Sequence, residues 1–166
     1  MATRSTIALE FADGTIGQVY SHWDGYLAHN GKILFENYSN PFILRDLIDL
    51  GGVSSLQSTI GTKHPFSQYD TEMSLVEFNN QYGNMTTFYG RDRGETNVEA
   101  KYFKDFEDFK ANCQQEEYDY ILRNVNGVAT WYVSDHGSEF ILLTEAFAEE
   151  ARELEEIAEV GRTLRN

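Results

Sequence analysis

Between Tyr118 and Leu143 the chain alternates apolar and polar residues around two short turns, Asn126-Gly127 and Asp135-His136-Gly137. Asn-Gly is the pair that a two-residue hairpin turn with positive φ at both positions demands, so this stretch admits little but a three-stranded antiparallel meander. The turn also sets the register. Val125 pairs with Val128, Leu122 with Trp131 and Tyr120 with Val133, which places Tyr120, Leu122, Trp131 and Val133 on one face. A second hairpin is expected at the start, where Ile7, Leu9 and Phe11 alternate and Asp13-Gly14 offers another two-residue turn. That turn pairs Ile7 with Tyr20 and Ser5 with His22, and sets His22 at the edge of an apolar face.

Helices are expected between the two sheets of strands. Asp24 suits an N-cap before a Leu27/Leu34/Tyr38 stripe in which Gly31 signals the close approach of another backbone. Asn40 and Pro41 open a second helix with an Ile43/Leu44/Leu47/Ile48 stripe, stopped by Gly51-Gly52. Residues 52–84 are polar and weakly periodic, and a loop of that length in a compact domain is functional or mobile. Met85–Tyr89 reads as a strand, Gly90–Gly94 as a charged turn, and Asp105 caps a short helix that turns Cys113 inward. A closing helix capped by Thr144 puts Phe147, Ala151, Leu154, Ile157 and Ala158 on its buried side. The expected fold is therefore α+β: one domain over residues 1–166, an antiparallel sheet of hairpin plus meander, helices packed on one face, and an acidic C-terminal helix.

Charge narrows the partners. The chain carries 13 Lys and Arg against 27 Asp and Glu, a net −14 at pH 7, and a field of that sign repels nucleic acid and anionic membrane. Direct binding of DNA, RNA or lipid is not expected. The lone Cys113 excludes an intrachain disulfide and a cysteine-based zinc site, and neither a signal peptide nor a transmembrane run is visible, so a cytoplasmic protein is expected.

Three groups of residues could carry chemistry. His22, Asp24 and His29 have the donor types of a Zn²⁺-like site but match no ligand spacing, and each has an ordinary structural role available: an edge histidine, a helix cap, a solvent-facing ring. Arg91 and Arg93 flank Asp92 between glycines and could clamp an anion, although no phosphate-cradling loop accompanies them. The closing helix carries seven glutamates and Arg152 between Glu145 and Glu159. Its net charge recurs about every 3.7 Å along the axis, close to the roughly 3.4 Å of one nucleic-acid strand. Glu145, Glu149, Glu153, Glu156 and Glu159 share one face.

The segment Thr3-Arg4-Ser5-Thr6-Ile7, His22-Trp23-Asp24-Gly25-Tyr26, His29 and Gly31-Lys32-Ile33-Leu34 resembles a loosely defined family of small phage-encoded and prophage-associated proteins. The resemblance covers roughly the first third, brings no catalytic residue, and implies a phage origin. Small non-structural phage proteins often redirect or disable a host machine, an analogy of context. The leading expectation is an accessory protein, needing no cofactor, that binds a host nucleic-acid-handling protein through the acidic helix, which mimics DNA. A small metal-dependent or anion-binding enzyme using His22, Asp24, His29 and Arg91, and a non-catalytic assembly subunit, are the alternatives.

Overall fold

In the computed structural model, which describes residues 2–165, β1 (Ser5–Glu10) and β2 (Ile16–Ser21) form the expected hairpin, but its loop is longer than a two-residue turn. Phe11 N–H donates to the Thr15 carbonyl and Gly14 N–H to that of Phe11, and Gly14 alone in the loop has a positive φ, +88°. This is a three-residue loop ending in a left-handed residue. The register becomes Ile7 opposite Val19 and Ser5 opposite Ser21. One step turns every β2 side chain over, so Val19 joins Ile7 and Leu9 in one core while Ile16 joins Ala8 in the other. The expected pairing of Ile7 with Tyr20 and Ser5 with His22 is corrected accordingly.

A π-helical turn over Leu27–Gly31 then runs into α1 (Lys32–Asn37). Asp24 does not cap it. Its own φ is +57° and Tyr26 stands at the cap position. Gly31 is approached by side chains and not by backbone: a Cβ there would lie 3.3 Å from the Tyr120 hydroxyl and 3.4 Å from the Phe147 ring. The second helix, α2 (Pro41–Leu50), matches expectation: the Asn40 side chain accepts from Phe42 N–H, Pro41 opens it, and Gly51 at φ +83° ends it. The polar stretch 52–84 holds β3 (Val53–Ser55) and α3 (Leu75–Tyr82), and is tied down by Tyr38, whose hydroxyl donates to the Gln57 carbonyl at 2.7 Å. After β4 (Thr87–Phe88), the charged turn proves to be the short helix α4 (Tyr89–Arg93), followed by β5 (Lys101–Phe103) and α5 (Phe106–Asn112).

The meander is β6 (Tyr118–Val125), β7 (Val128–Asp135) and β8 (Ile141–Leu142), and its register is the one the turn predicts. Asn126 and Gly127 have φ +52° and +82°. A Cβ on Gly127 would meet nothing within 4 Å, so Gly127→Val isolates backbone strain. It is expected to cost about 1–2 kcal/mol in thermal denaturation.

Among the described residues the eight strands order β4-β3-β2-β1-β6-β7-β8, with β5 also on β2. The sheet is mixed and not purely antiparallel, because β1 lies parallel to β6 and β2 parallel to β3. Turn chemistry fixes only neighbours in sequence, whereas hairpin and meander join through their first strands. Helices cover both faces, which corrects the expectation of one. The first face packs Ile7, Leu9, Val19, Tyr120, Leu122 and Trp131 on Leu34, Leu44, Leu47, Ile48 and Leu143. The second packs Ala8, Ile16 and Ile121 on Phe103 and Phe109. The runs Ile7-Ala8-Leu9 and Tyr120-Ile121-Leu122 are apolar on both sides because β1 and β6 are central strands.

The last helix, α6 (Leu143–Arg165), starts one residue before Thr144 and buries only Leu143 and Ala146, with Phe147 edge-on against Phe35. Ala151, Leu154, Ile157 and Ala158, expected in the core, are exposed. Twenty-three residues span about 34 Å, and the body supports only the first two turns. No helix among the described residues is long and apolar enough to cross a membrane.

Candidate functional site

His22, Asp24 and His29 do not converge. The His22 Nδ1 lies 2.7 Å from the Tyr20 hydroxyl with its ring edge-on to Trp23, and the His29 Nδ1 lies 2.9 Å from Asn30 Oδ1. Among the described residues no three His, Cys, Asp or Glu side chains form a ligand set. The segment works as a joint. Gly25 N–H donates to the Thr3 carbonyl, its own carbonyl accepts from the buried Tyr120 hydroxyl at 2.6 Å, and a Cβ on Gly25 would sit 2.7 Å from that of Ser5. The buried Asn30 amide donates to the hydroxyls of Ser5 and Ser21. Trp23, next to Asp24 with its φ of +57°, is exposed.

Arg91 and Arg93 are already engaged. Arg91 Nε donates to Asp92 at 3.0 Å while its Nη atoms reach the Gly61 and Thr86 carbonyls, and Arg93 pairs with Glu95 across the rings of Phe66 and Tyr89. The sequence reading missed the partner that organises this corner. Buried Asp92 accepts from the N–H groups of His64 and Phe88, and buried His64 contacts the Thr62 carbonyl and the Thr87 hydroxyl and stacks on Tyr82. The cluster clamps the 61–64 segment onto α4, and each arginine has a carboxylate partner within it.

Asp119 is the other group missed, though a carboxylate inside Tyr118-Asp119-Tyr120-Ile121-Leu122 is itself a signal of a buried acid. Thr6 donates its hydroxyl to Oδ1 at 2.6 Å, Glu116 N–H reaches both oxygens, and Gln18 continues the chain of bonds to Thr6 and to the Gln114 backbone. Burial pushes the Asp119 carboxyl up to about 6 against the pull of those hydrogen bonds. It borders a cavity of about 310 Å³ shared with Lys110, Cys113, Arg123 and Ser134. Burial first, and Asp119 second, push the partly buried Cys113 thiol up to about 11, which disfavours its thiolate at neutral pH. On the opposite face an apolar cleft of about 590 Å³ runs between Leu9, Phe11, Pro41, Phe42, Leu122 and Ala129.

On α6 the five glutamates 145, 149, 153, 156 and 159 are all exposed. Three of them, Glu153, Glu156 and Glu159, lie on the part of the helix beyond the body, where Arg162 reaches Glu159 at 2.6 Å. Comparison with protein-family models, with curated proteins and with solved structures finds no match.

Proposed function

We propose that this chain acts by stoichiometric binding, as a phage-type accessory protein whose α6 occupies the basic nucleic-acid-binding surface of a host protein. The observation that carries the reading is the placement of Glu145, Glu149, Glu153, Glu156 and Glu159, exposed along one side of a helix that leaves the body after two turns. The row spans about 21 Å and projects far enough to enter a groove without the rest of the fold following it. Its carboxylates stand in for phosphates. Binding would release counterions from the basic partner, as nucleic acid does, and would add to the steering supplied by the net −14 charge.

Changing the five to Gln keeps size and helix propensity and removes five charges. The wild type is expected to capture a nucleic-acid-binding protein from host lysate, to be displaced by duplex DNA, and to weaken as salt rises. The five-Gln protein is expected to melt like wild type and to bind the captured protein roughly ten- to a thousand-fold more weakly, the sum of five exposed charge pairs. Undiminished affinity of the five-Gln protein would end the mimicry reading.

A further inference from the structure

The apolar stripe of α6 does not stop where the body stops. Phe147, Leu154 and Gly161 recur every seven residues, and Glu150, Ile157 and Leu164 fall between them, the 3.5-residue spacing of a helix that packs on another helix. The start of the stripe lies on the body. From residue 151 on it has no cover: Leu154 is 61% exposed, Ile157 68% and Leu164 82%. Gly161 is equally unexplained within one chain. It sits in mid-helix, where glycine costs about 0.5–1 kcal/mol relative to alanine. Its φ is not positive, and a Cβ there would meet only the Arg165 side chain at 3.9 Å. Nothing in the monomer asks for a missing side chain, whereas a neighbouring helix at close range would.

We propose that α6 is a dimerisation element, two copies pairing antiparallel through the stripe of Leu154, Ile157, Gly161 and Leu164. Size and charge select the occupant and its direction. An antiparallel register centred on Ile157 and Ala158 sets Leu154 of each copy against Gly161 of the other, large against small, with Leu164 at the level of Ala151. A parallel pair would stack leucine on leucine and leave Gly161 facing Gly161. The helix is also electrically lopsided: its glutamates lie between Glu145 and Glu159, and its last turn holds Arg162 and Arg165 with no acid. Antiparallel pairing carries Arg165 to the level of Glu150 and Arg162 to the level of Glu153 in the second copy, and leaves only Glu156 and Glu159 level with each other, while parallel pairing sets every glutamate beside its own counterpart. The contact is isologous and closes at two copies. On the helical wheel the centre of the glutamate row lies roughly 120° from the stripe and only Glu153 borders it, so Glu145, Glu149, Glu156 and Glu159 stay exposed in the dimer, and the inference stands independently of the proposed partner.

Sedimentation equilibrium of the full chain tests it. An interface of this size lies near the low end for specific pairs, so a monomer–dimer equilibrium is expected with a dissociation constant of about 1–100 µM. Association is expected to tighten with added salt, which screens the repulsion between two acidic bodies, the opposite of the salt response expected for a basic partner. Leu154→Glu is expected to weaken the dimer by at least about a hundredfold with the thermal midpoint of the monomer unchanged, because Leu154 supports nothing in its own chain. Gly161→Leu is expected to weaken it about tenfold or more despite raising helix propensity. In a Cys113→Ser background, mixed Leu154→Cys and Gly161→Cys chains are expected to form an intermolecular disulfide, and Leu154→Cys alone is not. The five-Gln protein is expected to dimerise at least as well as wild type. A protein that stays monomeric up to about 1 mM, self-association indifferent to Leu154→Glu, association abolished instead by Phe42→Ser in the apolar cleft, or a Leu154→Cys homodisulfide would each overturn the proposal.

Discussion

Replacing Trp131 by alanine is expected to lower the stability of the fold by about 3–5 kcal/mol, which for a domain of this length lowers the melting temperature by roughly 6–20 °C. Trp131 lies on β7 opposite Leu122, is only 4% exposed, and fills the core between the central strands and the helices of the first face. Its neighbours are anchored on β6 and on the first turn of α6, so they cannot collapse into the space an indole leaves. The indole N–H has no hydrogen-bond partner among the described residues, and this separates two variants. Trp131→Phe loses part of the buried area but also removes an unpaired buried donor, so its cost is expected to be well below that of alanine. Urea denaturation followed by far-UV circular dichroism checks both. If alanine unfolds at the wild-type midpoint, or if phenylalanine costs as much as alanine, the packing around β7 described here is wrong.

How much of this architecture the sequence disclosed depended on how locally each feature is determined. The β6–β7 register was legible because Asn126 and Gly127 both take positive φ and leave one solution. The β1–β2 register was not, because Asp13-Gly14 also fits a three-residue loop in which only Gly14 turns left-handed, and the Asp13 carboxylate favours that loop by accepting from Thr15 N–H and hydroxyl. The helix over 41–50 was legible from its own ends, Asn40, Pro41 and Gly51. The parallel β1–β6 pair, with Ser5 opposite Tyr118 and Leu9 opposite Leu122, joins residues more than a hundred positions apart, and no local signal announces it. For α6 the periodicity indicates an amphipathic helix, but it carries no information on how far the body reaches along it, and Ala151, Leu154, Ile157 and Ala158 lie exposed. Among the candidate site residues, the five glutamates lie exposed on one helix as the wheel indicates. The histidine and arginine groups are absorbed into local structure by Tyr20, Asn30 and Asp92, and the burial that gives Asn30 and Asp92 this role depends on Ser5 and His64, 25 and 28 positions away, which no local pattern pairs with them.

Asp119 gives the second large expected effect, and its sign is opposite to that of most protein carboxylates. Burial holds the folded-state value up at about 6 against a reference of 3.8, so between about pH 4 and 6 the folded protein binds more protons than the unfolded chain. Stability from this group is therefore full at low pH, falls as pH rises through that window, and is flat above about pH 7. The total is up to about 3 kcal/mol, two units at 1.36 kcal/mol each. Asp13 and Asp108 act with the other sign, the first held low by the Thr15 hydroxyl and the second by the Lys104 N–H, but their loss is confined to pH below about 4. General repulsion among the 27 acids also weakens the fold as pH rises, so the wild-type profile alone does not isolate Asp119. Asp119→Asn does. The amide oxygen still accepts from Thr6 and Glu116, and the side chain stays neutral at every pH. The difference in stability between variant and wild type is expected to be small or unfavourable at pH 4.5, and to move in favour of the variant by about 2 kcal/mol by pH 7.5. Urea midpoints for both proteins at half-unit intervals of pH supply the measurement. A difference that stays constant from pH 4.5 to 7.5 would mean that Asp119 ionises in the folded protein as readily as in the unfolded chain, and that the Thr6–Gln18–Gln114 network stabilises its charge fully.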